Sequence, residues 1–382
     1  MQNQNSLPSA IVAGQASWPL STSTVQAYVT ETGGQLGPVE FQLGDRTVSP
    51  FAVAPWSEEE HAARISGVLQ GLRGDFFCMP FGGGQPFEGE DHPGHGETAN
   101  HLWHFESLQE NGTTRLHLSI DTKVRVGRVD KTIELRDGQT ALYCRHEISG
   151  MNGPMNLGHH AMLKFPEKPG SGLLSTSHFT FGQVFPGQFE NPEHGGYSML
   201  KAGATFESLE SVPTITGETT DLSRYPARRG YEDLVMIQAD QEQSLGWTAV
   251  VFPEEKYVWF ALKDARVLRG TVFWLSNGGR HYGPWSGRHT GVMGLEEVTS
   301  YFHDGLYKSA MPNSLNERGF KTYLDLDAEK PTRVNYIMAV AEIPDGFDHV
   351  AEITVQTESV TLQSRSGQMV VTPLDASFLE LS

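Results

Sequence analysis

KTIELRDGQTALYCRHEI, residues 131–148, consists of two β-favouring runs on either side of an Asp-Gly step. Asp137-Gly138 supplies the positive φ angles that a two-residue turn demands, so the stretch predicts a β-hairpin. Beyond the turn, the two-residue period puts Leu142, Cys144, His146 and Ile148 on one face and Tyr143, Arg145 and Glu147 on the other.

The same alternation recurs on both sides of this hairpin. VQAYVTE, VEFQLGD and TVSPFAVAPW, between Val25 and Trp56, are separated by glycine-bearing turn sequences and read as three or four short strands. Downstream, SLGWTAVVF, KYVWFALKD, RVLRGTVFWLSN, TRVNYIMAVAEI and AEITVQTESVTLQ continue the pattern. No amphipathic run of helical period exceeds about three turns, which argues against βαβ units and for antiparallel sheets. One helix is expected where Ser57-Glu58-Glu59-Glu60 forms a capping box continued by Ala62, Ala63 and Ile65 and ending near Gly67. With 41 Gly and 21 Pro and no repeat of fixed period, the expectation is a single all-β sandwich domain over residues 1–382, with residues 1–15 as a flexible tail or a strap.

A formal charge of −18, from 28 basic and 46 acidic residues, disfavours nucleic acid and anionic membrane surfaces as partners and points to a small molecule. Cys78 and Cys144 fit no metal-binding spacing and read as reduced thiols. The N-terminus lacks a basic and apolar leader, and no apolar stretch is long enough for a membrane helix, so a cytoplasmic location is expected.

The 15 histidines concentrate in DHPGHGETANHLWHF (91–105), NLGHHAML (156–163) and NGGRHYGPWSGRHTG (277–291). In the first, His92, His95, Glu97, His101 and His104 could supply a metal site, a packed histidine cluster, or a substrate contact through His95. The spacing matches no strong metal motif, so none is assigned. In the second, strand alternation lets only one of His159 and His160 face a given cleft; in GVMGLEEVTSYF (291–302) it likewise separates Glu296 from Glu297. Apolar neighbours around Glu296 favour its neutral form and can poise it for proton transfer, although a structural salt bridge is an equal reading of such a carboxylate. Around the third, in FWLSNGGRHYGPWSGRH (273–289), Trp274, Tyr282 and Trp285 are interleaved with Arg280 and Arg288, a combination of flat apolar faces and directional donors that suits a sugar ring or an ordinary aromatic core.

Four segments, in order, resemble the aldose 1-epimerase, or galactose mutarotase-like, family of large antiparallel β-supersandwich proteins. LRGDFFCMPFGGG (72–84) is similar to the family's approach to a Cys-x-Pro strand, HGETANHLW (95–103) to its His-Gly loop and following Trp, NLGHHAML to its Asn-Leu-x-x-His strand, and GVMGLEEVT (291–299) to the strand presenting its catalytic base. The resemblance implies a cofactor-independent isomerase acting on a sugar or sugar phosphate, with His160 as general acid and Glu296 as general base. It also implies sugar contacts from Arg73 and His95; Trp274, Trp285 and Arg280 are further candidates for the binding surface. Arg73, Arg280 and Arg288 are available to a phosphate. The family's substrate-contacting aspartate has two candidates, Asp221 and Asp233. A non-catalytic carbohydrate-binding protein on the same scaffold is the alternative, and polysaccharide cleavage lacks an obvious second carboxylate.

Overall fold

The computed structural model describes residues 9–60 and 62–381. The expected tail therefore lies outside the described residues over its first eight positions. Beyond them, Ala10–Val12 and Gln15–Ser21 form the first hairpin of a five-stranded meander. About half of the chain is strand and 7% helix, in several antiparallel sheets.

Two large sheets carry the architecture, one of nine strands and one of eight. The opening hairpin, Gly127–Arg136 and Ala141–Ser149, lies within the nine-stranded sheet and is flanked there by Thr332–Glu342 and Thr113–Thr122. Its turn centres on Asp137-Gly138, yet only Gly138 takes a positive φ, 76°. The expectation of two positive φ angles is corrected accordingly: a turn closed by the Gln139 amide on the Arg136 carbonyl needs glycine at one position.

Leu142, Cys144 and Ile148 enter the main core together with Phe273, Leu275, Met293 and Leu295 of the eight-stranded sheet. Tyr143 is also buried, because its face is covered by a second cluster that includes Ile353, Val360 and Leu362 from a three-stranded C-terminal sheet. A strand covered on both faces loses its polar alternation at those positions.

The expected helix over Ser57–Gly67 does not form. Among the described residues, i→i+3 bonds turn the chain at Ser57, Glu59 and Ala62, leaving a 3-10 turn at Ala62–Arg64 and one short helix at Val68–Gly71. Trp56 is fully buried and its Nε1 donates to the Leu69 carbonyl at 2.8 Å, which folds the segment back on itself. Three adjacent carboxylates and a few small residues offer too narrow an apolar face to hold a helix against that anchor. No helix among the described residues is long and apolar enough to cross a membrane.

The eight-stranded sheet positions the candidate site through simple parity. In Gly270–Asn277 and Val292–Thr299, odd-numbered Phe273, Leu275, Met293 and Leu295 face the main core. Even-numbered Val272, Trp274, Val292 and Val298 face a third cluster with Trp56, Phe76, Phe81 and Trp285 on the sheet's outer side. The site opens on this second face.

Candidate active site

Leu157–His159 and Ala161–Lys164 both pair with Val292–Thr299, through Gly158↔Val298 and Ala161↔Leu295. The two pairings keep one register, so His160 lies across from Glu296 and His159 across from Glu297. His160 interrupts the ladder because its amide donates instead to the Phe76 carbonyl at 2.9 Å. Its Nε2 lies 3.3 Å from Glu296 Oε1. Gly294 makes this possible, since a Cβ there would come within 2.4 Å of the Glu296 carboxylate.

His160 and Glu296 line a cavity of about 100 Å³ together with His95, Trp274, Arg280, Trp285 and His303. On that measure one water needs roughly 10–15 Å³, so there is room for several waters or a small polar ring. Phe76, Phe189, Leu234 and the Val68–Leu69–Leu72 segment supply apolar walls. Six of the sequence-derived candidates thus meet at one cavity.

The seventh, Arg73, does not. Its side chain is fully buried, and its guanidinium donates to the carbonyls of Gly71 at 2.8 Å, Val12 at 2.8 Å and Ala13 at 2.7 Å. The expected sugar contact is corrected to a clamp on the turn of the first hairpin. The other arginines offered for a phosphate are also engaged. Arg280 Nε donates to Glu190 at 2.5 Å while its guanidinium lies 4.7 Å from the Trp285 ring centroid and 5.4 Å from that of Trp274. Arg288 pairs with Glu59.

The neighbours of the central pair go to the opposite face. His159 Nδ1 donates to Asp75 at 2.8 Å in the core. Glu297 is fully buried, accepts from Thr248 and Thr271 at 2.7 Å each, and forms an ion pair with Lys263. It is a structural carboxylate held by three partners on the core side of the sheet.

Burial controls the charge of the cavity groups. It drives the Glu296 carboxyl well above the ordinary range, with Arg280 opposing only in part. Burial also drives His160 well below its ordinary value, and nearby His95 adds to the depression. His95 and His303 are each lowered to about 4, mainly by desolvation. Burial thus disfavours the charged form of all four groups.

A buried chain of groups holds the aromatic wall. Glu232 accepts from Trp274 Nε1 at 3.0 Å, Ser276 Oγ at 2.9 Å and the Gly279 amide at 3.2 Å. With the serine hydrogen directed to Glu232, His289 Nδ1 donates to Ser276 Oγ at 2.6 Å, and its ring stacks on Trp274 at 5.4 Å. Burial raises Glu232 to about 7.

Glu190, Glu232 and His303 escaped the reading of the sequence. For Glu232 the signal was present: the parity that separates Glu296 from Glu297 also separates Glu232 from Asp233 on Tyr231–Ala239. Asp233 instead accepts the amides of Met199 and Leu200, and Asp221 caps Ser223; neither lines the cavity. The first histidine cluster does not converge either. His92 bonds Glu90, and Glu97 accepts the amides of Lys123 and Val124, placed by a short helix, Gly96–Asn100, that the sequence reading did not foresee. Among the described residues no group of three or more metal-ligating side chains could hold an ion.

No protein-family model matches the sequence, and no curated protein matches it. Solved structures match in fold. A galactose mutarotase-like protein of Clostridium acetobutylicum is 11% identical, with a TM-score of 0.59 over 88% of this chain and 98% of that one. A protein of Escherichia coli K12 provisionally described as an aldose 1-epimerase is 13% identical, with a TM-score of 0.58 over 86% of this chain and 99% of that one. A galactose mutarotase related enzyme of Lactobacillus acidophilus is 11% identical, with a TM-score of 0.54 over 86% and 98%. The chain has the galactose mutarotase-like fold.

Proposed function

We propose that the protein is a cofactor-independent carbohydrate epimerase of the aldose 1-epimerase type, interconverting sugar anomers by ring opening between Glu296 and His160. The observation that carries this reading is the 3.3 Å contact between a carboxyl and an imidazole at the floor of an aromatic-walled cavity.

Ring opening needs a base at the anomeric hydroxyl and an acid at the ring oxygen. Glu296 takes the O1 proton, His160 gives a proton to O5, the C1–O5 bond breaks and a C1=O1 carbonyl forms. Rotation about C1–C2 and the reverse transfers close the ring from the other face. The pair conserves its protons throughout. It begins as carboxylate and imidazolium and holds carboxylic acid and neutral imidazole when the sugar is open, and burial favours this second arrangement. Desolvation thus favours the proton arrangement of the open-chain complex over that of the ion pair from which ring opening starts. Before the sugar reacts, one proton passes from Glu296 to His160 across their contact; Arg280 favours the carboxylate so formed. His95 and the Trp274–Trp285 wall fit the roles of hydroxyl donor and apolar ring face.

Polarimetry with freshly dissolved α-D-glucose and α-D-galactose tests the reading: acceleration over the spontaneous rate is expected for at least one aldose. Saturable sugar binding with no acceleration across a panel of aldoses would leave a carbohydrate-binding protein instead.

A further inference from the structure

Behind the cavity wall, Cys78 Sγ lies 3.3 Å from His95 Nδ1. The thiol is fully buried and does not line the cavity, whereas His95 does. Several constraints fix the imidazole against it. His95 has left-handed backbone angles, φ 64 and ψ 15, and its amide donates to the Gly82 carbonyl at 2.6 Å. Gly96 follows so close to Met79 that a Cβ would meet its carbonyl oxygen at 1.9 Å, and Asn100 ties down the carbonyls of Gly94 and Gly96. Phe76 and Phe81 meet the ring edge-on, at 5.9 and 5.4 Å.

A neutral imidazole carries one N–H, and the partner of one nitrogen decides which atom holds it. A thiol donates through S–H, while its sulfur is only a weak acceptor. With Nδ1 accepting, the imidazole hydrogen resides on Nε2; with Nδ1 donating, the S–H would be left in a dry core with no other partner among the described residues. A nucleophilic Cys–His pair does not fit. Burial and then the neighbouring Glu296 and Asp75 push the thiol well above its ordinary value, burial holds His95 near 4, and thiolate and imidazolium are both disfavoured.

We propose that Cys78 is a positioning residue, whose thiol fixes His95 as the Nε2–H tautomer so that His95 presents a hydrogen-bond donor to a sugar hydroxyl oxygen. Two other cavity imidazoles, His160 and His303, have buried Nδ1 atoms without partners, whereas His95 Nδ1 has the thiol. The role of the donor rests on the epimerase reading; the tautomer does not.

The test is long-range ¹H–¹⁵N correlation NMR on ligand-free full-length protein with ¹⁵N-labelled histidine, the His95 signals being assigned by their loss in His95→Gln. The wild type is expected to show a protonated Nε2 and an unprotonated Nδ1 at His95. Cys78→Ala should release a tautomer mixture and weaken kcat/KM by roughly 2- to 10-fold, mostly through KM. Cys78→Ser, which restores a donor, should recover both the single tautomer and KM. A wild-type Nδ1–H tautomer, or an unchanged tautomer in Cys78→Ala, overturns the proposal; if Cys78→Ala does not fold, the wild-type and Cys78→Ser spectra decide. Should no aldose be turned over while the tautomer behaves as stated, the epimerase reading falls and the positioning role of Cys78 stands.

Discussion

Glu296 and Glu297 are adjacent in sequence and opposite in environment, and replacing each by Gln should produce opposite failures. Burial favours the neutral form of Glu296, so a neutral amide of nearly the same shape should change stability by no more than about 1 kcal/mol. Its proton-transfer capacity is lost, which lowers kcat by about 10²- to 10⁴-fold, or roughly 3–5 kcal/mol of barrier. Glu297→Gln instead removes the counter-charge of Lys263, whose side chain is 3% exposed, and weakens the acceptor for two threonine hydroxyls. Breaking a buried pair from one side costs about 3–5 kcal/mol, less whatever Lys263 recovers by shedding its proton, and a melting-temperature drop of about 4–6 °C at most follows. Polarimetric progress curves and calorimetric melting of both variants give the four numbers required. Loss of activity in Glu297→Gln with Glu296→Gln unaffected would refute the assignment of strand faces to roles. A large melting shift in Glu296→Gln would show that its carboxyl is ionised in the resting protein.

His160→Ala should lower kcat about as far as Glu296→Gln, and the double variant should lose little more than either single one, because the pair acts as a unit; multiplicative losses in steady-state polarimetry would argue that the two act independently. Arg73→Ala should leave sugar affinity unchanged, yet cost on the order of 3 kcal/mol by stranding three carbonyls, and should expose residues 9–15 to limited proteolysis. Glu232 gives a pH signature. Its folded value, about 7, exceeds the unfolded carboxylate value, so the folded state binds more protons and stability falls as pH rises from about 4.5 to 7. The full effect is on the order of 3 kcal/mol. Glu232→Gln should flatten that part of the denaturant-midpoint profile between pH 5 and 8, and an unchanged slope would assign the titration elsewhere.

Alternation and turn chemistry determined the fold class. A two-residue period is a local property of the chain, and it recurs in short segments between Val25 and Gln363. The same parity separated His160 from His159 and Glu296 from Glu297, since opposite faces follow from backbone geometry alone. Tertiary structure decided everything that depended on which face was covered and by what. Tyr143 is buried because a distant C-terminal sheet covers it, and Ser57–Gly67 turns back because Trp56 reaches Leu69. Arg73 shows the limit most sharply: a lone arginine in a sequence reads as a ligand donor, and only the arrival of residues 12 and 13 from the far end of the meander spends its hydrogen bonds on the backbone. Likewise, apolar neighbours made Glu296 a candidate for a raised pKa. The matching depression of His160, which disfavours charge on both partners, required the two strands to be in register, because desolvation is set by what surrounds a group in space.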